Sequence, residues 1–205
     1  MTTTETPAGD TTRTARDTAL IVIDVQESFP QRPYWSQTGA DVFLKNVNAL
    51  VDGAQSRGIP IVRVFHTDGP QTPDNPFAHG SEFVRPLTGL APFEAALTIE
   101  KHRHSALVGT PLMNWLIETG IRRVIVAGIR TEQCCETTTR HASDLGYEVD
   151  FVGAATLSHE IQDAAGRRWS PAELRARTEA VLSGRFARIA TVAEALAGRP
   201  GRKAA

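Results

Sequence analysis

The only two cysteines of the chain stand side by side, Cys134 and Cys135, in "GIRTEQCCETTTRHASDLGYEV", residues 128–149. A thiol can serve as nucleophile, metal ligand or redox partner, and the first use requires a neighbouring base or a lowered pKa. An apolar run ends at Gly128-Ile129, and the helical pattern after it must begin near Glu132 to finish at Gly146. Cys134 is therefore predicted in the first helical turn, where unpaired N–H groups and the helix dipole favour an anion and lower a thiol pKa. Cys135 is rotated by about 100° around the same helix and faces another way. Taken singly, either cysteine could equally be a small core residue.

Two further residues suggest chemistry. Asp24 ends "ALIVIDV", residues 19–25, and a carboxylate at the end of a buried run needs a partner or a task. Lys101 lies in "IEKHRHSAL" at the end of a shorter apolar segment. Taken singly, Asp24 could be a strand-end cap and Lys101 a solvated surface residue. Together they offer a base, a charge stabiliser and a nucleophile.

The elements that would position these residues alternate. Buried-strand runs are predicted at 19–25, 60–65, 123–129 and 148–152, with "ARIATV" (187–192) as a fifth and "TIEKH" (98–102) as a shorter one. Phe43, Val47, Leu50, Val51 and Ala54 share a helical face, and Gly58 is placed to end that helix. Thr110-Pro111 reads as an N-cap and first turn, with Gly120 closing the segment. Ser170, Pro171 and Glu173 form a capping box before Leu174, Val181 and Leu182. Strands alternating with helices imply a single-domain, three-layer α/β/α fold around a mainly parallel sheet. Ligands in such sheets bind beyond the carboxyl ends of the strands. Asp24, His66, Asp68, Lys101 and the stretch from Arg130 to Cys134 all fall there. Residues 67–92, rich in Pro, Gly and Asn, are expected to form a long functional loop.

Bulk properties narrow the class. The chain has 205 residues, a net charge of −1 and 41% hydrophobic residues, which suits one compact domain and leaves no basic excess for nucleic acid. No apolar run approaches the roughly 20 residues that span a bilayer, and the start lacks a signal-peptide core. Residues 1–17 read as a Thr-rich disordered leader, 18–197 as the folded domain and 198–205 as a flexible basic tail. Adjacent cysteines make no disulfide framework, so a reducing, cytoplasmic setting is expected.

With these residues in view, the sequence resembles the isochorismatase-like cysteine hydrolases, the superfamily of nicotinamidases and N-carbamoylsarcosine amidases. The resemblance is carried by "LIVIDVQESF", "KHRHSAL" and "TPLMNWLIETGIRRVIVAGIRTEQCCETTTRHASDLGYEV", in order over most of residues 18–157. It implies a Rossmann-like fold, a triad of Asp24, Lys101 and Cys134, and a non-proline cis peptide at Ile129-Arg130. It also implies an oxyanion hole built from the N–H groups of Arg130 and Cys134. The implied activity is cleavage of an amide or ureido C–N bond of a small molecule through a thioester. No cofactor is implied. The implied partners are a small-molecule substrate and further copies of the chain, as a dimer or tetramer. The family register Gly, aliphatic, any, Thr, acidic, any, Cys runs from Gly128 to Cys134, which leaves Cys135 in a packing position. Phe29, Tyr34, Trp35, His66, Ile129 and Arg130 are the expected substrate contacts.

Departures and alternatives bound this reading. Family members that bind a metal carry Asp before His after the second strand. Here "FHTDGP" reverses the order, with His66 before Asp68 and only His79 nearby, so no metal is expected. Ala154 replaces a common acidic residue outside the triad. His102 and His104 alternate along the Lys101 segment, so they share a face with each other and not with Lys101 and are expected as exposed edge residues. His141 lies too far along its helix to act as base, and Trp115 and Trp169 are expected to pack. Vinyl ether hydrolysis within the same family needs no thiol. A redox protein would use C-x-x-C, and a nucleotide-binding module needs a Gly-rich turn where this chain reads "DVQESF". A non-catalytic relative would not need the three residues together.

Overall fold

A computed structural model describes residues 17–37 and 39–198. Six strands form one parallel sheet in the order β3-β2-β1-β4-β5-β8: β1 (Thr18–Ile23), β2 (Ile61–His66), β3 (Leu97–Lys101), β4 (Arg123–Ile129), β5 (Glu148–Leu157) and β8 (Arg188–Ile189). A short antiparallel hairpin, β6 (Ile161–Gln162) and β7 (Arg168–Trp169), stands apart from it. The helices are α1 (Ala40–Ser56), α2 (Leu112–Glu118), α3 (Glu136–Asp144), α4 (Pro171–Leu182) and α5 (Val192–Ala197), with a π-helical turn at Thr131–Cys135 leading into α3.

Alternation along the central strands sorts side chains into two cores. Leu20 and Val22 of β1 and Ile125, Ala127 and Ile129 of β4 point to the face covered by α1 and α5. Ala19, Ile21 and Ile23, with Val124 and Val126, point to the face covered by α2, α3 and α4. Both faces of β1 are sealed, which is why its sequence shows no polar interruption before Asp24. The five apolar positions predicted on one face of α1 are all buried.

The element boundaries differ from expectation for identifiable reasons. α2 begins at Leu112, one residue past Pro111, while Thr110 Oγ1 still accepts the Leu112 N–H at 3.3 Å. The strand expected over 187–192 keeps only Arg188–Ile189, because Thr191 and Glu194 form a capping box that starts α5. The capping box at Ser170 and Glu173 is present as predicted. β5 runs five residues further than its apolar core suggested, and its register against β4 jumps between Val126 and Gly128. The hairpin was not anticipated; it closes on Asp163, whose Oδ1 accepts the N–H groups of Ala165 and Arg167 at 3.0 Å each. The expected leader and tail lie outside the described residues apart from Asp17 and Gly198. No helix among the described residues is long and apolar enough to cross a membrane.

Candidate active site

The carboxyl ends of β1, β3 and β4 bring three side chains together. Asp24 follows β1 in a left-handed conformation (φ 52°) that turns its fully buried carboxylate across the strand ends. Lys101 closes β3, is fully buried, and places Nζ 2.8 Å from Asp24 Oδ2 and 3.3 Å from Cys134 Sγ. Cys134, 5% exposed, sits in the π-helical turn after β4. One ammonium thus bridges the carboxylate and the thiol. Cys135 is wholly buried in the core under α3, as the register argument required.

The charge state of the thiol overturns an expectation. A helix N-terminus was expected to lower its pKa, but burial and then the Asp24 charge push Cys134 up to about 12, against the pull of Lys101. Desolvation outweighs the dipole because the sulfur is nearly sealed from water. At neutral pH Cys134 therefore stays a thiol, so ionisation of the sulfur must accompany attack. Burial works against the charge of Lys101, yet Asp24 and Cys134 more than offset it and raise its pKa.

His66, the last residue of β2, lies against this cluster. Its Nδ1 is 3.2 Å from Lys101 Nζ. An ammonium can only donate, so Nδ1 accepts and the ring proton resides on Nε2. Burial and the Lys101 charge lower its pKa and keep it neutral. Gln26 ties this corner together: its Oε1 accepts the His66 N–H at 2.7 Å and its Nε2 donates to the His66 carbonyl at 3.0 Å.

The turn carrying the thiol is anchored to the shifted end of β5. Thr131 Oγ1 donates to Thr156 Oγ1 at 2.9 Å, and Ser158 Oγ donates to Glu132 Oε2 at 2.5 Å. Glu132 in turn holds Arg130 Nε at 3.1 Å. The Ile129-Arg130 peptide is cis, at the position the resemblance implied. Beyond it, the Gln133 and Cys135 N–H groups turn back on the Arg130 carbonyl at 3.2 and 3.1 Å.

A cavity of about 420 Å³ opens above Cys134. Of the expected contacts, Phe29, Tyr34, His66 and Arg130 line it. Trp35 and Ile129 do not. Ile129 is sealed in the α1 core, and Trp35 packs behind the wall against His159, with ring centroids 5.3 Å apart. His159 also meets Phe29 and Tyr34, and burial and the Arg130 charge lower its pKa to about 4. This neutral imidazole supports the aromatic wall from behind.

Sequence reasoning missed several lining residues. His104 is exposed, as predicted, but its Nδ1 stands 3.7 Å from Cys134 Sγ and its ring stacks on His66 at 6.4 Å. Lys101 ends the strand, so the alternation used to turn His104 away no longer applies beyond it. Its spacing of three residues from Lys101 was the available signal. Arg32, Asn75 and Phe77 also line the cavity, as does Asp68, which the strand-end argument had placed there, and all four come from loops. His102 instead caps the end of β2, with Nδ1 3.1 Å from the Thr67 carbonyl, and His141 meets Ser105. Trp115 packs against the α2 core, whereas Trp169 lies on the hairpin under Arg167. His79 pairs with Glu100 on the outer surface. Among the described residues, no group of three metal-ligating side chains converges.

Comparison with known proteins agrees with this architecture. The isochorismatase domain family matches residues 18–185, so the chain belongs to the isochorismatase family; it is an enzyme, a hydrolase. It is 27% identical over 177 residues to the isochorismatase family protein YrdC of Bacillus subtilis, covering 84% of this chain and 91% of that one. It is 28% identical over 165 residues to nicotinamidase 3 of Arabidopsis thaliana, covering 71% and 77% of the two chains. The crystal structure of an isochorismatase from Pseudomonas putida KT2440 superimposes with a TM-score of 0.77 at 28% identity, over 92% of this chain and 93% of that one.

Proposed function

We propose that the chain hydrolyses a C–N bond, amide or ureido, of a small molecule by way of a thioester on Cys134. The observation that carries this reading is the single ammonium of Lys101 bridging Asp24 and Cys134 at 2.8 and 3.3 Å beneath one cavity. The nicotinamidase among its relatives favours the same bond type.

The steps follow from the charge states. As sulfur attacks the carbonyl carbon, Asp24 takes the thiol proton, which a pKa of about 12 would otherwise retain. The Lys101 ammonium steadies the developing thiolate. The carbonyl oxygen becomes an oxyanion, held by the N–H groups of Arg130 and Cys134; one such donor contributes about 3 kcal/mol to lowering a barrier. The C–N bond breaks as protonated Asp24 gives its proton to the leaving nitrogen. Water, losing a proton to Asp24, then attacks the thioester, and the carboxylic acid leaves as the thiol is restored.

Two other readings draw less support. A dithiol redox role would need both sulfurs accessible, and Cys135 is fully buried. Vinyl ether cleavage would leave the thiol and its ammonium without a task. The test is ammonia release from a panel of carboxamides and ureido acids by the native chain, Cys134→Ala and Cys135→Ala. Turnover lost in Cys134→Ala and kept in Cys135→Ala is the expected result. Full turnover by Cys134→Ala would end the nucleophile assignment.

A further inference from the structure

The cavity lining holds a cation, Arg32, that the hydrolytic steps leave unused. Arg32 lines the pocket, donates from Nη2 to Asn75 Oδ1 at 3.1 Å, and holds its guanidinium 5.4 Å from the Phe77 ring centroid. Asn75 is itself pinned: its Nδ2 donates to the carbonyls of Asp68 and Pro70 at 2.8 and 3.0 Å, and its Oδ1 also accepts the Phe77 N–H at 3.1 Å. The loop after β2 therefore spends a neutral amide and an aromatic face on positioning one guanidinium. Among the described residues, Arg32 has no carboxylate at ion-pairing distance, whereas Arg130 is already engaged by Glu132.

Charge is sorted within the cavity. Arg32 and Arg130 both act on Tyr34, where their charges work against the rise in pKa that burial causes. The carboxylate in the lining, Asp68, lies toward His66, whose pKa its charge raises, and its Oδ1 accepts the Gly69 N–H at 2.8 Å. A preset guanidinium that no carboxylate of the described residues contacts, with the Asp74 charge felt only at longer range, stands beside apolar rings and fits a planar anion that it can hold through two parallel N–H···O bonds.

We propose that Arg32 is the subsite for a carboxylate carried by the substrate, so that the natural substrates are amic acids or ureido acids. This deepens the C–N hydrolase reading and rests on it. The cavity of about 420 Å³ must hold both the carboxylate and the scissile carbonyl, which confines the substrate to a short chain or small ring between them.

The test reads binding without turnover. Thiol-free Cys134→Ala protein is titrated calorimetrically with acid and neutral pairs: succinamate against succinamide, and N-carbamoyl-β-alanine against its amide. At least one acid should bind about ten-fold or more tightly than its neutral partner, the size expected of one charge-assisted pair. In the Cys134→Ala, Arg32→Gln double variant that preference should collapse to within about two-fold, and Arg32→Lys should restore part of it, since it keeps charge without the fork. Equal binding within every pair, absence of binding by all four, or a preference that survives Arg32→Gln overturns the subsite. The two readings fail separately. A preference kept in the thiol-free chain, with no thiol-dependent ammonia release from the native one, would sink the hydrolase reading and leave the subsite standing.

Discussion

Asp24→Asn will slow hydrolysis by about 10³-fold or more while making Cys134 easier to alkylate. The two effects have one cause. Asparagine has the shape of aspartate and tolerates a left-handed backbone, so it can occupy φ 52° at the end of β1 without moving Lys101. It cannot accept and return a proton, so neither formation nor breakdown of the thioester has its base. Its neutrality also removes the negative charge that, after burial, does most to raise the Cys134 pKa. Lys101 then faces the sulfur alone, the thiol pKa falls, and more thiolate is present at any pH below it. Iodoacetamide consumption at pH 8 by Asp24→Asn and the native chain, followed on the Cys134 peptide, gives the second readout. A purely structural role for Asp24 predicts that both rates fall together. The same exchange leaves a buried ammonium without its counter-charge, so a loss of about 3 kcal/mol or more of stability accompanies it, and rates must be compared well below the melting transition.

Among the described glycines, Gly128→Ala should be the most damaging addition of a methyl group. Gly128 pairs with Ile23 across the β1–β4 ladder at φ 135°, a conformation that side chains rarely adopt. A Cβ there would lie 1.9 Å from the Ile23 carbonyl oxygen and 2.7 Å from its carbon, both main-chain atoms of the central strand. Nothing flexible can give way. Backbone strain and the clash together cost about 3 kcal/mol or more, which lowers the melting temperature of a domain this size by roughly 6–12 °C. The position pairs with Ile23, the residue before Asp24, and lies six residues before Cys134, so the fraction that folds should also lose activity. Gly58→Ala is the control, since its φ of 66° is also positive but no heavy atom stands within 4 Å of the added carbon; it should cost about 1 kcal/mol and leave turnover unchanged. Thermal melting of the three proteins, with activity measured at 20 °C below each midpoint, checks both statements. A Gly128→Ala protein as stable as Gly58→Ala would contradict the packing argument.

How much of this was legible in the sequence depends on the kind of residue. Asp24, Lys101 and Cys134 could be placed together because each ends or directly follows a run that reads as a buried strand, and parallel topology then carries strand ends to one edge. Helical rotation showed that only one of the adjacent cysteines could face the crevice, and the choice of Cys134 came from the family register that the sequence resembles. What could not be read depends on loops and on depth. Arg32, Asn75 and Phe77 lie on irregular segments whose course no periodicity specifies. His104 was turned the wrong way because strand alternation was carried past the end of β3. Trp35 and Ile129 were placed in the pocket by nearness in sequence, whereas the chain folds one behind His159 and the other into the α1 core. The high pKa of Cys134 reflects burial, a property of the assembled fold that a helix-terminus argument does not contain. The shortened β8 was a missed signal of a different sort, because the Thr191 and Glu194 spacing that ends it was present in the sequence.

The central claim is a covalent acyl intermediate on Cys134. The most direct measurement is intact-mass analysis of the protein quenched with acid during turnover of a substrate found in the ammonia-release panel, followed by peptide mapping. The account predicts a mass increase equal to the acyl portion of the substrate, located on the peptide containing Cys134, present in Cys135→Ala and absent in Cys134→Ala. Steady hydrolysis by Cys134→Ala, or an acyl group mapped to any other residue, would contradict it.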